Sequence, residues 1–196
     1  MSDSLHTLLH AITNIGDAAM LAAFVALAGT YLLWAGSRKS AGILVLSLLA
    51  AAGAIFILKI AFLGCWVKTP FYDLRSPSGH AALSAAVLGT LAAILSTQLE
   101  NREKWVPYII LVPLIALIAL SRVLLGMHSP EEAFVGLFIG GCVATAACII
   151  LKHSDVPKVD SRLIVIVAVL VVIVFHGTWS SIESTLRDIS KWLSNC

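Results

Sequence analysis

The chemistry open to this chain is concentrated in two short polar stretches. The first is Arg75-Ser76-Pro77-Ser78-Gly79-His80, a turn-prone hexapeptide between two long apolar runs. Pro77 and Gly79 punctuate the backbone, and Ser78 is a good N-cap for a helix over the apolar run from Ala81. His80 then sits in the first turn. The N–H groups of Ser78, Gly79 and His80 point at a common spot on the positive end of the helix dipole, where phosphate and other oxyanions bind readily. Arg75 is close enough in sequence to add a bidentate contact to the same anion. The second stretch runs from Ser121-Arg122 through five residues to His128, then through three more to Glu132. Ser129 reads as a helix cap and Pro130 as the first helical position. His128 and Glu132, four apart around that helix start, face one side.

The elements that must position these residues belong to a membrane protein. Hydrophobic residues make up 59% of the 196, charged residues 12%, and the mean hydropathy is +0.96. Soluble domains hold about 45–50% apolar and about 25% charged residues. An all-α, polytopic bundle of six transmembrane helices is expected, as one membrane-embedded domain over residues 1–196. The spans fall at residues 18–36, 41–64, 80–99, 106–126, 130–151 and 163–175, each near the length that crosses a bilayer or somewhat short of it. Residues 1–15 and 178–196 carry apolar residues at helical spacing and read as amphipathic interfacial helices. Pro113 is expected to kink the fourth span. Met1-Ser2-Asp3-Ser4 lacks a basic n-region, so no cleaved signal is expected. Four cysteines show no C-x-x-C spacing, and a net charge of +2 gives no reason to expect nucleic acid as a partner.

Charge distribution says more than its total. Alternate loops hold Arg38, Lys39, Arg102, Lys104, Lys152, Lys158 and Arg162, while the opposite side holds Lys68, Arg75, Arg187 and Lys191. The positive-inside rule puts the first set in the cytoplasm and both histidine-bearing turns outside it. In a bacterial cell that is the periplasmic face of the inner membrane. His80, Arg122 and His128 then share one membrane level. Lys59 and Arg122 lie inside apolar runs, where a cation costs roughly 2.5–3.5 kcal/mol at the helix centre and less near its end. Asp73 and Glu132 are too few to neutralise these cations, so a bound phosphate is the better partner.

Pro77-Ser78-Gly79-His80, followed by Ser121-Arg122, His128 and Glu132, resembles the type 2 phosphatidic acid phosphatase (PAP2) superfamily. Its signature is K-x6-R-P, then P-S-G-H, then S-R-x5-H-x3-D. The second block matches in full, and the third matches except that Glu132 replaces the aspartate. The first is altered: Lys68 and Arg75 have the right spacing, but Ser76 stands where proline is usual. Lys59 resembles the family lysine equally well and is harder to explain otherwise.

The resemblance implies His128 as nucleophile through a phosphohistidine, with Glu132 on its other ring nitrogen to fix the tautomer and stabilise the charged ring. Glu131 competes for that place. His80 is implied as the acid that protonates the leaving group and the base that then activates water. Lys59 or Lys68, Arg75, Ser78, Gly79 and Arg122 would hold the phosphoryl oxygens. No metal and no other cofactor is implied. The expected activity is removal of phosphate from a lipid phosphate or diphosphate, with membrane lipids as surroundings. A catalytically degenerate lipid binder or transporter on the same fold is the alternative.

Overall fold

The computed structural model describes residues 3–63, 76–154 and 156–175. All regular structure among them is helical: α1 (Asp3–Ile15), α2 (Ala18–Trp34), α3 (Arg38–Leu63), α4 (Gly79–Thr97), α5 (Val106–Leu124), α6 (Pro130–Lys152) and α7 (Ser161–Phe175), with a single 3-10 turn at Glu103–Trp105. Four of the helices, α3, α4, α5 (with the 3-10 turn) and α6, are long and apolar enough to cross a membrane. Large apolar side chains such as Leu46, Ile57, Ile109, Phe134 and Ile173 face outward. A helix apolar on its outer face as well as its inner one suits a hydrocarbon surround.

Against the six spans expected, the described residues hold four, or five if α1 and α2 together form one bent span. α2 has 17 residues and stops at Trp34, because the chain leaves the helix at Ala35 and Gly36 takes φ +81°. It is joined to α1 at a 45° bend, and the two together are long and apolar enough for a broken span or a re-entrant pair. α7 is described over Ser161–Phe175, a shorter apolar helix that runs to the edge of the described residues. α1 is helical as expected, yet it packs against α5 and buries Leu9 and Thr13, so it is not a detached surface helix. The expected interfacial helix over 178–196 lies outside the described residues.

The bundle is built around α4, thirteen of whose residues are buried. Its neighbour α6 is the element packed most extensively against it. Between helices in lipid there is little hydrophobic drive, so close backbone approach through small residues takes its place. Gly136, Gly140 and Ala144 line one side of α6, facing Ala81, Ala82, Ala85 and Gly89 of α4. A Cβ on Gly136 would stand 2.5 Å from the Ser78 carbonyl oxygen, and one on Gly140 would collide with the Ala82 carbonyl. Farther along, Thr90 of α4 donates to Ser47 of α3 at 2.8 Å, a bond worth on the order of 0.6 kcal/mol in such a bundle. This packing seats the start of α4 against the start of α6.

Candidate active site

Ordinary helix-end chemistry sets the spacing from Arg122 to Glu132. α5 ends in a Schellman motif: the Met127 N–H donates to the Arg122 carbonyl at 3.0 Å and the Gly126 N–H to Val123 at 2.9 Å, with Gly126 at φ +67°. The His128 N–H also donates to the Arg122 carbonyl, at 3.2 Å. Arg122 and His128 are therefore tied to one turn. Ser129 then caps α6, Pro130 opens it, and Glu132 closes a capping box with Ser129.

Glu132 joins the two polar stretches. Its Oε2 lies 2.7 Å from His128 Nδ1 and accepts from the Ser129 N–H at 3.3 Å. Its Oε1 accepts from the Ser76 N–H at 2.7 Å, and its backbone carbonyl accepts from the Ser78 N–H at 3.0 Å. One residue thus orients an imidazole, helps cap α6 and holds the loop that leads into α4. The extra methylene relative to aspartate is accommodated in this arrangement. Glu131, the competitor, is exposed.

On the other side Ser78 is fully buried and caps α4 by accepting from the Ala81 N–H at 3.4 Å; its hydroxyl proton is still available to donate. Gly79 and His80 form the first turn of α4 and are half-buried. His80 Nε2 lies 3.8 Å from Asp17 Oδ2. Sequence reasoning missed this carboxylate. Asp17 caps α2, its Oδ1 accepting from Ala19 N at 2.8 Å and Met20 N at 3.4 Å. Gly16 lets the α1–α2 turn press this close: a Cβ there would stand 2.7 Å from Ile118 Cγ2 and 3.3 Å from the His80 carbonyl. An aspartate directly before an apolar run was a readable cap signal; its proximity to His80 needed the folded chain.

Two cations complete the described part of the site. Arg122 is 4% exposed and Lys59 8% exposed, so neither snorkels away from the bundle. Lys59 is one turn past Ile55, whose Cγ2 lies 3.7 Å from where a Gly79 Cβ would be, so α3 runs beside the start of α4 at this level. Lys68 and Arg75 fall outside the described residues. His128, Glu132, Ser78, Gly79, His80, Arg122 and Lys59 all belong to the same end of the bundle, with Asp17 added. Two imidazoles, two carboxylates and two buried cations suit nucleophilic displacement on an anionic group with proton transfer alongside.

A family model described as PAP2 superfamily matches residues 41–155. A curated relative, an uncharacterized 22.5 kDa protein in the cps region of Klebsiella pneumoniae, is 28% identical over 100 residues, covering 51% of this chain and 48% of that protein. The chain spans about half the length of the curated relative it matches. No solved structure matches.

Proposed function

Because the chain belongs to the PAP2 superfamily, whose members are generally phosphatases, we propose that it is a membrane phosphatase acting on a lipid phosphate or diphosphate through a phosphohistidine at His128. The observation that carries this reading is the bond from His128 Nδ1 to Glu132. With Nδ1 committed, Nε2 is the nitrogen left to attack phosphorus. As the N–P bond forms, the bond to the leaving oxygen breaks and His80 gives that oxygen its proton. Neutral His80 then takes a proton from water, the hydroxide displaces His128 from phosphorus, and inorganic phosphate departs. Glu132 stabilises the positive charge on the His128 ring throughout. Lys59, Arg122, the Gly79 N–H and Ser78, joined by Arg75 or Lys68, neutralise the equatorial oxygens, which is the larger part of catalysis in phosphoryl transfer. Cationic side chains can fill the role a metal ion takes elsewhere, and activity in EDTA is expected.

A lipid rather than a soluble phosphate is favoured by a cavity of about 270 Å³ between α2, α4, α5 and α7. Its lining is apolar, from Ile15, two residues from Asp17, down to Leu88 and Leu91. Leu88 lies about 12 Å along α4 from His80, a depth that suits a hydrocarbon chain hanging from a phosphate at the site. The basic loops at the far end support an extracytoplasmic site. Phosphate release from a panel of lipid phosphates and diphosphates, in detergent with EDTA, tests the reading. Turnover is expected on at least one of them, falling by ~10⁴-fold or more in His128→Ala. An absolute need for Mg²⁺ or Zn²⁺, or turnover that survives His128→Ala, overturns it.

A further inference from the structure

We propose that Asp17 is the positioning residue for His80, holding its ring in place as it delivers a proton to the leaving group. The inference rests on the phosphatase reading above and extends it to a residue outside every motif block. Asp17 Oδ2 and His80 Nε2 are 3.8 Å apart and largely shielded, with side chains 15% and 18% exposed. That separation is long for a hydrogen bond, yet within reach of one by a small rotation, and catalytic bonds commonly tighten only when substrate is bound.

Two features show that this carboxylate is held toward His80. Its Oδ1 accepts from the Ala19 and Met20 N–H groups in the first turn of α2, so the cap restrains the rotation of the side chain and the second oxygen is directed elsewhere. Gly16 then permits a contact with the backbone of His80 that a Cβ would crowd. Among the described residues, the other charged or titratable groups at this end include Lys59 of α3, Arg122 of α5, and His128, Glu131 and Glu132 of the α5–α6 corner. Glu132 is engaged by His128, Ser76 and Ser129. Among the described residues Asp17 is the carboxylate beside His80. Its carboxylate is placed to accept from the Nε2–H of His80 and so hold the ring toward the leaving group. Departure of the leaving group takes the proton away.

The test exploits the double role of Asp17. Asparagine caps helices as well as aspartate does, so Asp17→Asn keeps α2 and removes only the charge. Compared with the full-length wild type in detergent, Asp17→Asn should lower kcat/KM for an alkyl lipid phosphate by ~10–100-fold and for an aryl phosphate with a good leaving group by less than about 3-fold. Asp17→Glu, which keeps the charge, should restore most of the activity on the alkyl substrate even if α2 is capped less well. Wild-type leaving-group dependence in Asp17→Asn overturns the role of Asp17, provided His80→Ala shows the selective loss. If His80→Ala itself impairs both substrates equally, the acid role of His80 fails, and the inference falls with it.

Discussion

The two histidines of this site stand in contrasting surroundings. His128 is 2.7 Å from its carboxylate, in a side-chain pair 6% and 8% exposed, and the partner is four residues away on the same turn. His80 is 3.8 Å from its carboxylate in a more open pair, and that partner comes from a different part of the chain. The first pair is set largely by local geometry, since the Schellman turn, the Ser129 cap and Pro130 place both groups on one corner. The second exists only because the α1–α2 bend is pressed onto α4. A nucleophile that forms and breaks a bond to phosphorus benefits from a fixed tautomer and direction. An acid that becomes a base within one turnover benefits from a looser partner that allows both protonation states. The closed and open pairs fit these two tasks.

Breaking the closed pair should have the largest effect. Glu132→Gln leaves the nucleophile present but poorly oriented, and kcat should fall about 10²–10⁴-fold with apparent binding little changed. Glu131→Gln, on the exposed neighbour, should be close to wild type in the same assay. Next comes the packing that brings the two pairs into register. Gly140→Ala forces α6 off the Ala82 carbonyl and Ala85 of α4, so it should cost about 1–3 kcal/mol of stability and reduce activity on every substrate. Gly141→Ala, where nothing lies within 4 Å of the added carbon, is the matched control and should stay within about 0.5 kcal/mol. Thermal unfolding in detergent reads both.

Smaller effects separate the pairs further. Aspartate at position 132 is one methylene too short to reach Ser76 N and His128 Nδ1 at once, so Glu132→Asp should lower kcat by roughly 10-fold. An increase in rate would show that the longer side chain is a handicap here. Gly16→Ala should push the α1–α2 turn away from His80 and reduce kcat/KM by a few-fold, about 3–10, for alkyl leaving groups alone. An equal loss on alkyl and aryl phosphates would place Gly16 in general packing.

The difference between the pairs also decides what could be read from the sequence. Ser129, Pro130, Gly126 and Glu132 are local signals with fixed meanings at helix ends, so the His128 corner was legible. Ser78 as the cap of α4 was legible for the same reason. The choice of Glu132 over Glu131 needed the helix phase together with the Ser76 contact. Asp17 went unseen because hydropathy marks where spans begin and says nothing of which turn leans on which. The α1–α2 bend was hidden by the same limit, as an uncharged run from Ala18 to Gly36 does not reveal a helix that stops at Trp34 and meets α1 at a bend. The small-residue face of α6, which brings both corners together, is invisible in a composition already rich in alanine and glycine.

The most direct test of two histidines with divided roles is to trap the covalent intermediate. Full-length protein in detergent is incubated with an aryl phosphate carrying ³²P, quenched in alkali, and the acid-labile label is mapped by mass spectrometry in wild type, His80→Ala and His128→Ala. The account predicts a phosphohistidine on His128 that is sparse in wild type, accumulates in His80→Ala because no base activates water, and is absent from His128→Ala. Label that persists in His128→Ala, or that maps to His80, would contradict it.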